Sequence, residues 1–152
     1  NVLHVASHFV LAPGRPAESW LYLGDGSRLS LTDLGAMGTL FSGFDLVTYS
    51  ACQTATGGGR DSTGAEMESL SARTQRQGAE AVLATLWRIS DQSTAQFMRT
   101  YYAQRLAGLN KAEALRSAQL AMISGQSRSQ PEGSLWGAPH HWAGFVLSGN
   151  WR

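Results

Sequence analysis

The sequence predicts an α/β fold: a mostly parallel sheet flanked by helices. Three observations lead there. "VLHVAS" (2–7), "DLVTYS" (45–50) and "AEAVLATLW" (79–87) are short apolar runs, as expected of strands covered on both faces. The segments between them carry helical spacing and capping residues. The composition is globular, with 43% hydrophobic residues and only 15% charged ones, so one domain with a sizeable core is expected.

In chain order, residues 2–7 form the first core strand. "LAPGRPAES" (11–19) is a loop broken by two prolines and a glycine. "WLYLGDGSRLSL" reads as two short strands around the turn "GDGS". Thr32 caps a short helix through about Phe41, closed near Gly43. Residues 45–50 are the second core strand, followed by the glycine-rich loop "TATGGGRDSTG" (54–64). Residues 65–77 read as a helix with Met67, Leu70 and Thr74 on one face, stopped by Gly78. The third core strand spans 79–87. Asp91 or Ser90 then caps a helix in which Thr94, Phe97, Met98, Tyr101 and Arg105 fall at helical spacing. A second helix follows over 111–124, with Leu115, Ala118 and Met122 together. "WAGFVLSG" (142–149) is the last strand.

Charge and composition exclude several classes. Twelve basic and eleven acidic residues give a net charge of +1, spread along the chain, with no stripe for nucleic acid and no polybasic membrane anchor. No apolar stretch approaches the roughly 18 residues that span a bilayer. The single cysteine rules out an internal disulfide, so a reducing cytoplasm is the expected home. The first residues lack the basic region and cleavage site of a signal peptide. Asn1 is not an initiator Met, and a strand pattern begins almost at once; the chain is read as part of a longer polypeptide whose other part carries further strands of the sheet.

The chemistry concentrates at two strand ends. In an open α/β sheet, functional groups gather at the carboxyl ends of the strands. His8 follows the first core strand and Cys52 the second, so parallel neighbours would bring both to one edge. A thiolate is the nucleophilic form of cysteine, and a nearby imidazole can take its proton and later protonate a leaving amine. The plainer alternatives are a small buried thiol and a hydrogen-bonded surface imidazole. His4 shares a strand face with His8, but no third ligand sits at familiar metal spacing; His140 and His141 would point apart. The "TGGGR" loop lacks the Lys-Ser/Thr of a phosphate-binding loop. No cofactor and no metal are expected.

The blocks "LHVASHF", "DLVTYSACQTATG", "GAEAVLATLWRISDQST", "FMRTYYAQRLAG", "KAEALRSAQLAM" and "HHWAGFVLSGNW" resemble, in order, those of the CHAT family. These are caspase-like cysteine peptidase domains of clan CD, found mainly in bacteria and often fused to TPR repeats. The resemblance runs from Val2 to Trp151, and "SACQTA", "LATLWRISD" and "HWAGFVLSG" are its most specific parts. It implies a caspase-haemoglobinase fold over residues 1–152, lacking an N-terminal portion, with His8 as general base and Cys52 as nucleophile. It also implies an oxyanion hole built from the backbone N–H groups of residue 9 and Cys52. Relatives usually carry Gly after the catalytic His; here Phe9 stands there, and Phe tolerates positive φ poorly.

The resemblance also bears on the residue cut. Caspases carry Gln two positions before the nucleophile and metacaspases Asp; here it is Ser50. Asp91 can supply a negative charge, or merely cap its helix, and Trp87 can form an apolar wall, or merely pack in the core. A basic or large apolar residue before the cut is favoured, because no arginine cluster for an acidic one is evident. The loop 54–64 is a candidate activation segment or an ordinary connection. The expected function is a cysteine endopeptidase acting on a protein or peptide and controlled by another domain or partner, such as TPR repeats. The alternative is a catalytically silent interaction module.

Overall fold

Two four-stranded sheets follow one another along a pair of interrupted strands. The structure is a computed structural model that describes residues 1–12, 15–50, 52–55, 70–125 and 136–152, with residues 52–55 described as backbone. Its strands are β1 (Val2–Val5), β2 (His8–Leu11), β3 (Trp20–Tyr22), β4 (Arg28–Ser30), β5 (Leu46–Tyr49), β6 (Cys52–Ala55), β7 (Ala81–Thr85) and β8 (Phe145–Gly149). The helices are α1 (Leu31–Ala36), α2 (described over 70–76), α3 (Asp91–Leu106) and α4 (Lys111–Ile123). One sheet has the order β1-β5-β7-β8, the other β4-β3-β2-β6. β1, β5 and β7 run parallel and β8 antiparallel. In the second sheet β2 and β6 are parallel, and the β3–β4 hairpin pairs antiparallel to β2. The expected mostly parallel α/β architecture is present.

Strand length differs from the sequence reading in one way that matters. The first two core strands do not stop at 7 and 50. Each breaks and resumes, as β2 and β6. Every pairing of β1 with β5 and of β2 with β6 joins residues 44 apart in sequence. The register therefore carries across the break, and Ser50 N–H donates to the Val5 carbonyl at 3.1 Å inside it. The glycine-rich segment accordingly begins after β6; residues 56–69, which include Met67, lie outside the described residues.

Alternation along the buried strands builds the core. Val47 and Tyr49 of β5 and Val82 and Ala84 of β7 join Phe9, Leu31, Leu34 and Leu70 on one face. Leu46 of β5 and Ala81 and Leu83 of β7 meet Phe97, Tyr101, Ala114, Ala118 and Met122 of α3 and α4 on the other. Every residue of β5 and β7 is buried, as a sheet covered on both faces requires. Each large apolar side chain so buried contributes roughly 1.5–3 kcal/mol.

Local chemistry sets the helix ends. Ser30, not Thr32, caps α1 by accepting from Asp33 N, and α1 closes at Ala36 rather than Phe41. Asn110 and Glu113 form a reciprocal capping box on α4. β8 is shorter than 142–149, because Pro139–His141 form a 3-10 turn and Trp142 closes it. Gly149 ends β8 at φ 94°, where a Cβ would come within 2.4 Å of the Glu80 carbonyl; only glycine fits that approach.

Candidate active site

The constant register brings His8 and Cys52 together. They are Cα partners at the start of the parallel β2–β6 pair, one strand spacing apart, about 4.8 Å. Both strands emerge at the carboxyl edge of the first sheet, where the segment after β7 also turns into α3. Between this edge and α3 lies a cleft of about 370 Å³, lined among the described residues by His4, Ala6, Ser7, His8, Ser50, Asp91, Thr94, Ala95 and Met98. Four residues weighed in the sequence thus line one cavity: His4, His8, Ser50 and Asp91. The volume falls in the range of small-ligand and side-chain pockets.

The elements place each group for local reasons. His4 and His8 precede and follow the break in the first strand. Ser50 lies in the matching break of the second. Asp91 is the first residue of α3, and the side chain of Ser90 caps the helix by accepting from Ser93 N. The capping role that competed for Asp91 therefore belongs to Ser90, and Asp91 stands exposed on the cleft wall. Thr94, Ala95 and Met98 follow on the next turns, the spacing that keeps one helical face toward the sheet.

Polar contacts tie His4 to its neighbours. His4 Nε2 lies 2.6 Å from Ser50 Oγ. The His4 ring sits 5.6 Å from that of Tyr102, and Tyr102 O–H donates to Thr48 Oγ1 at 2.9 Å. Burial holds the His4 imidazole below its ordinary pKa and the Tyr102 phenol above its own. Both groups are therefore neutral at pH 7.

Two other candidates sit elsewhere. Trp87 is not among the described residues lining the cleft. Its indole N–H donates to the His140 carbonyl at 2.8 Å, its ring stacks on His140, and it fills the space a Cβ on Gly144 would enter. Phe9 is 1% exposed and packs in the core on the opposite face from α3. It is in register with Leu21 on one side and Gln53 on the other, and among the described residues no non-glycine residue has positive φ. Phe9 is thus ordinary extended backbone, and the strain expected of a bulky residue after His8 does not arise. His141 Nδ1 meets Ser93 Oγ at 3.1 Å, and burial followed by the neighbouring His140 lowers its pKa.

Among the described residues no group of three or more His, Cys, Asp or Glu is placed to hold a metal. No described helix is long and apolar enough to cross a membrane.

The CHAT domain family model matches residues 1–150. The chain belongs to the CHAT domain family. The match covers both sheets and every element that builds the cleft, so the resemblance carried by the sequence blocks holds at the level of the whole chain, and with it the caspase-like fold. CHAT domains are a caspase-like, peptidase-related family. No curated protein matches the chain with significance.

The sequence reading did not single out Thr94 and Met98 as cleft residues. Their helical spacing was visible, but spacing alone does not separate a core face from a cavity wall. His4 was visible only as a possible metal ligand. Its 44-residue register with Thr48, which brings Ser50 within reach, needed the sheet.

Proposed function

We propose that this CHAT domain is a cysteine endopeptidase that cleaves a protein or peptide substrate with Cys52 as nucleophile and His8 as general base. The observation that carries this reading is the pairing of His8 with Cys52 across adjacent parallel strands at the mouth of a cleft. Family membership supports it.

The reaction runs in two halves. His8 takes the thiol proton, and the Cys52 sulfur adds to the carbonyl carbon of the scissile bond. The tetrahedral intermediate collapses, the C–N bond breaks, and the amine leaves with the proton held on His8. A thioester remains. His8 then takes a proton from water, the hydroxide adds to the thioester, the C–S bond breaks, and the acid departs with the thiol restored. Backbone N–H groups of Phe9 and Cys52 are the proposed oxyanion donors, each worth roughly 3–4 kcal/mol of barrier if well placed. Phe9 has a partner strand on each side, so this role needs the β2–β6 pair to part there when substrate binds. Ser50 and Asp91 are the proposed substrate contacts; Trp87, held against His140 and Gly144, is left out of the proposed contacts.

Control by a further domain or partner suits the family, whose members are often joined to TPR repeats. The segment 54–64 is a proposed activation loop, and its residues 56–64 lie outside the described residues. The lone cysteine suits a reducing cytoplasm.

A second reading, a silent interaction module, draws on the committed position of Phe9 within the ladder. Proteome-derived peptides incubated with the full-length protein separate the two. New N-termini that vanish in Cys52→Ala support the peptidase. Unchanged peptides from folded protein, with and without its partners, support the silent module.

A further inference from the structure

The β3–β4 hairpin extends the strand row that holds the reacting pair. His8 is the Cα partner of Cys52 on one side. On the other side β2 pairs antiparallel with β3, Phe9 with Leu21 and Val10 with Trp20; one step back in that register sets Tyr22 beside His8. Ser7 Oγ donates to the Tyr22 carbonyl at 2.6 Å, which keeps the two strands together there. Tyr22 is in turn the partner of Arg28 on β4. Cys52, His8, Tyr22 and Arg28 therefore follow one another across all four strands of the second sheet.

Alternation fixes which way the hairpin residues face. Phe9, Leu21 and Leu29 pack in the core. Their neighbours His8, Trp20, Tyr22 and Arg28 point to the opposite face, where His8 lines the cleft. Arg28 lies over the rings of Trp20 and Tyr22, its guanidinium carbon 4.8 Å and 5.4 Å from their centroids. It is exposed, and no carboxylate among the described residues pairs with it. Asp25, the acid of the same hairpin, accepts from the Ser27 N–H and O–H in the turn. A guanidinium braced on ring faces keeps its N–H edge for a carboxylate.

We propose that Trp20, Tyr22 and Arg28 form a docking platform for the part of the substrate that follows the cut, and that it takes an acidic side chain two to three residues beyond the scissile bond. The inference rests on the peptidase reading. His8 protonates the departing amine, so that amine leaves on the His8 side of Cys52, and the row continues on that side into the hairpin. Strands β3 and β4 lie one and two strand spacings beyond β2, about 5–10 Å, the reach of two to three extended residues. Trp20 and Tyr22 offer partly exposed ring surface to the residues between. The charge of Arg28 selects Glu or Asp over Lys.

The test is the ratio of kcat/KM for two peptides that share every residue up to the cut and differ after it only in Glu-Glu against Gln-Gln at the second and third positions. The ratio should favour Glu about fivefold at low salt and shrink at high salt. Arg28→Gln should bring it close to one, Arg28→Glu should invert it, and Arg28→Lys should restore part of it. No preference in the unaltered protein, or an equal preference in Arg28→Gln, overturns the proposal. A binding measurement stands apart from turnover. Ala-Glu-Glu-amide copies a departing fragment. At millimolar concentration it should shift the NMR signals of the Arg28 Nε–H and the Trp20 ring in full-length Cys52→Ala protein, and Ala-Gln-Gln-amide should not. If both tripeptides move them, or neither does, the proposal fails whatever the protein cleaves. If only the acidic one does while no peptide is cut, the platform stands and the peptidase reading is what falls.

Discussion

The two ends of the parallel strands treat polar groups in opposite ways. At the amino end, Asp45 lies just before β5 between Lys111 Nζ at 2.6 Å and Arg105 at 3.1 Å. Lys111 is fully buried and also donates to the Arg152 carbonyl at 2.6 Å, while Arg105 donates to the Leu109 carbonyl. Helices α3 and α4, strand β5 and the final residues close over one another there. At the carboxyl end, His4, His8, Ser50 and Asp91 face a cavity. Charge that is buried and paired holds elements together; polar groups lining an open cleft are placed for something that enters. Each end carries an aspartate, but only the amino end sets lysine and arginine against it among the described residues named here.

Breaking the amino end should cost most. Lys111→Ala leaves Asp45 with only Arg105 and empties a fully buried site; we expect a loss of about 3 kcal/mol, read as a lower midpoint in urea unfolding. The double variant Lys111→Met with Asp45→Asn should recover part of it, because no charge is left stranded. A loss under about 1 kcal/mol in Lys111→Ala would undo the contrast.

The sheet itself supplies the next effect. Tyr49 is 3% exposed and bonds Thr74, and burial pushes its phenol up to about 12 from 10.0. The folded state keeps this proton more tightly than the unfolded one. Its contribution is therefore fully present below pH 10 and is lost as pH rises toward 12, up to roughly 2 kcal/mol. Tyr49→Phe should flatten that alkaline loss in thermal melts taken between pH 9 and 11.

Smaller still is the cap of α3. Ser90→Ala removes the acceptor for Ser93 N and should cost about 1 kcal/mol. The smallest effect belongs to the cleft: Ser50→Ala deletes the partner of His4 in a half-exposed setting and should change stability by under about 0.5 kcal/mol. A Ser50→Ala loss as large as that of Lys111→Ala would mean the cleft is part of the frame.

Much of this was legible in the residues. β5 and β7 are unbroken apolar runs, the "GDGS" hairpin has its turn residues, and Asn110 stands three residues before Glu113. His8 and Cys52 were recognisable as strand-end residues because thiol and imidazole follow two such runs. What escaped was tertiary. "HFVL" and "CQTA" do not read as strands, since a break hides their continuity; only the 44-residue register shows it. The choice of Ser90 over Asp91 as cap turns on where the backbone enters the helix, since Ser90 is still extended at φ −65° and ψ 145° and both are good caps by type. The position of Trp87 against His140 and Gly144 depends on a contact 53 residues away, which no local pattern encodes.

The central claim is that Cys52 and His8 form one reactive pair. It is tested most directly by the rate of Cys52 alkylation by iodoacetamide against pH, in the protein and in His8→Ala. The account predicts fast reaction near neutral pH that collapses in the variant, the mark of a thiolate kept by its imidazole partner. Slow reaction at pH 6 to 7, rising only toward the ordinary thiol pKa near 8.5 and unchanged in His8→Ala, would contradict it.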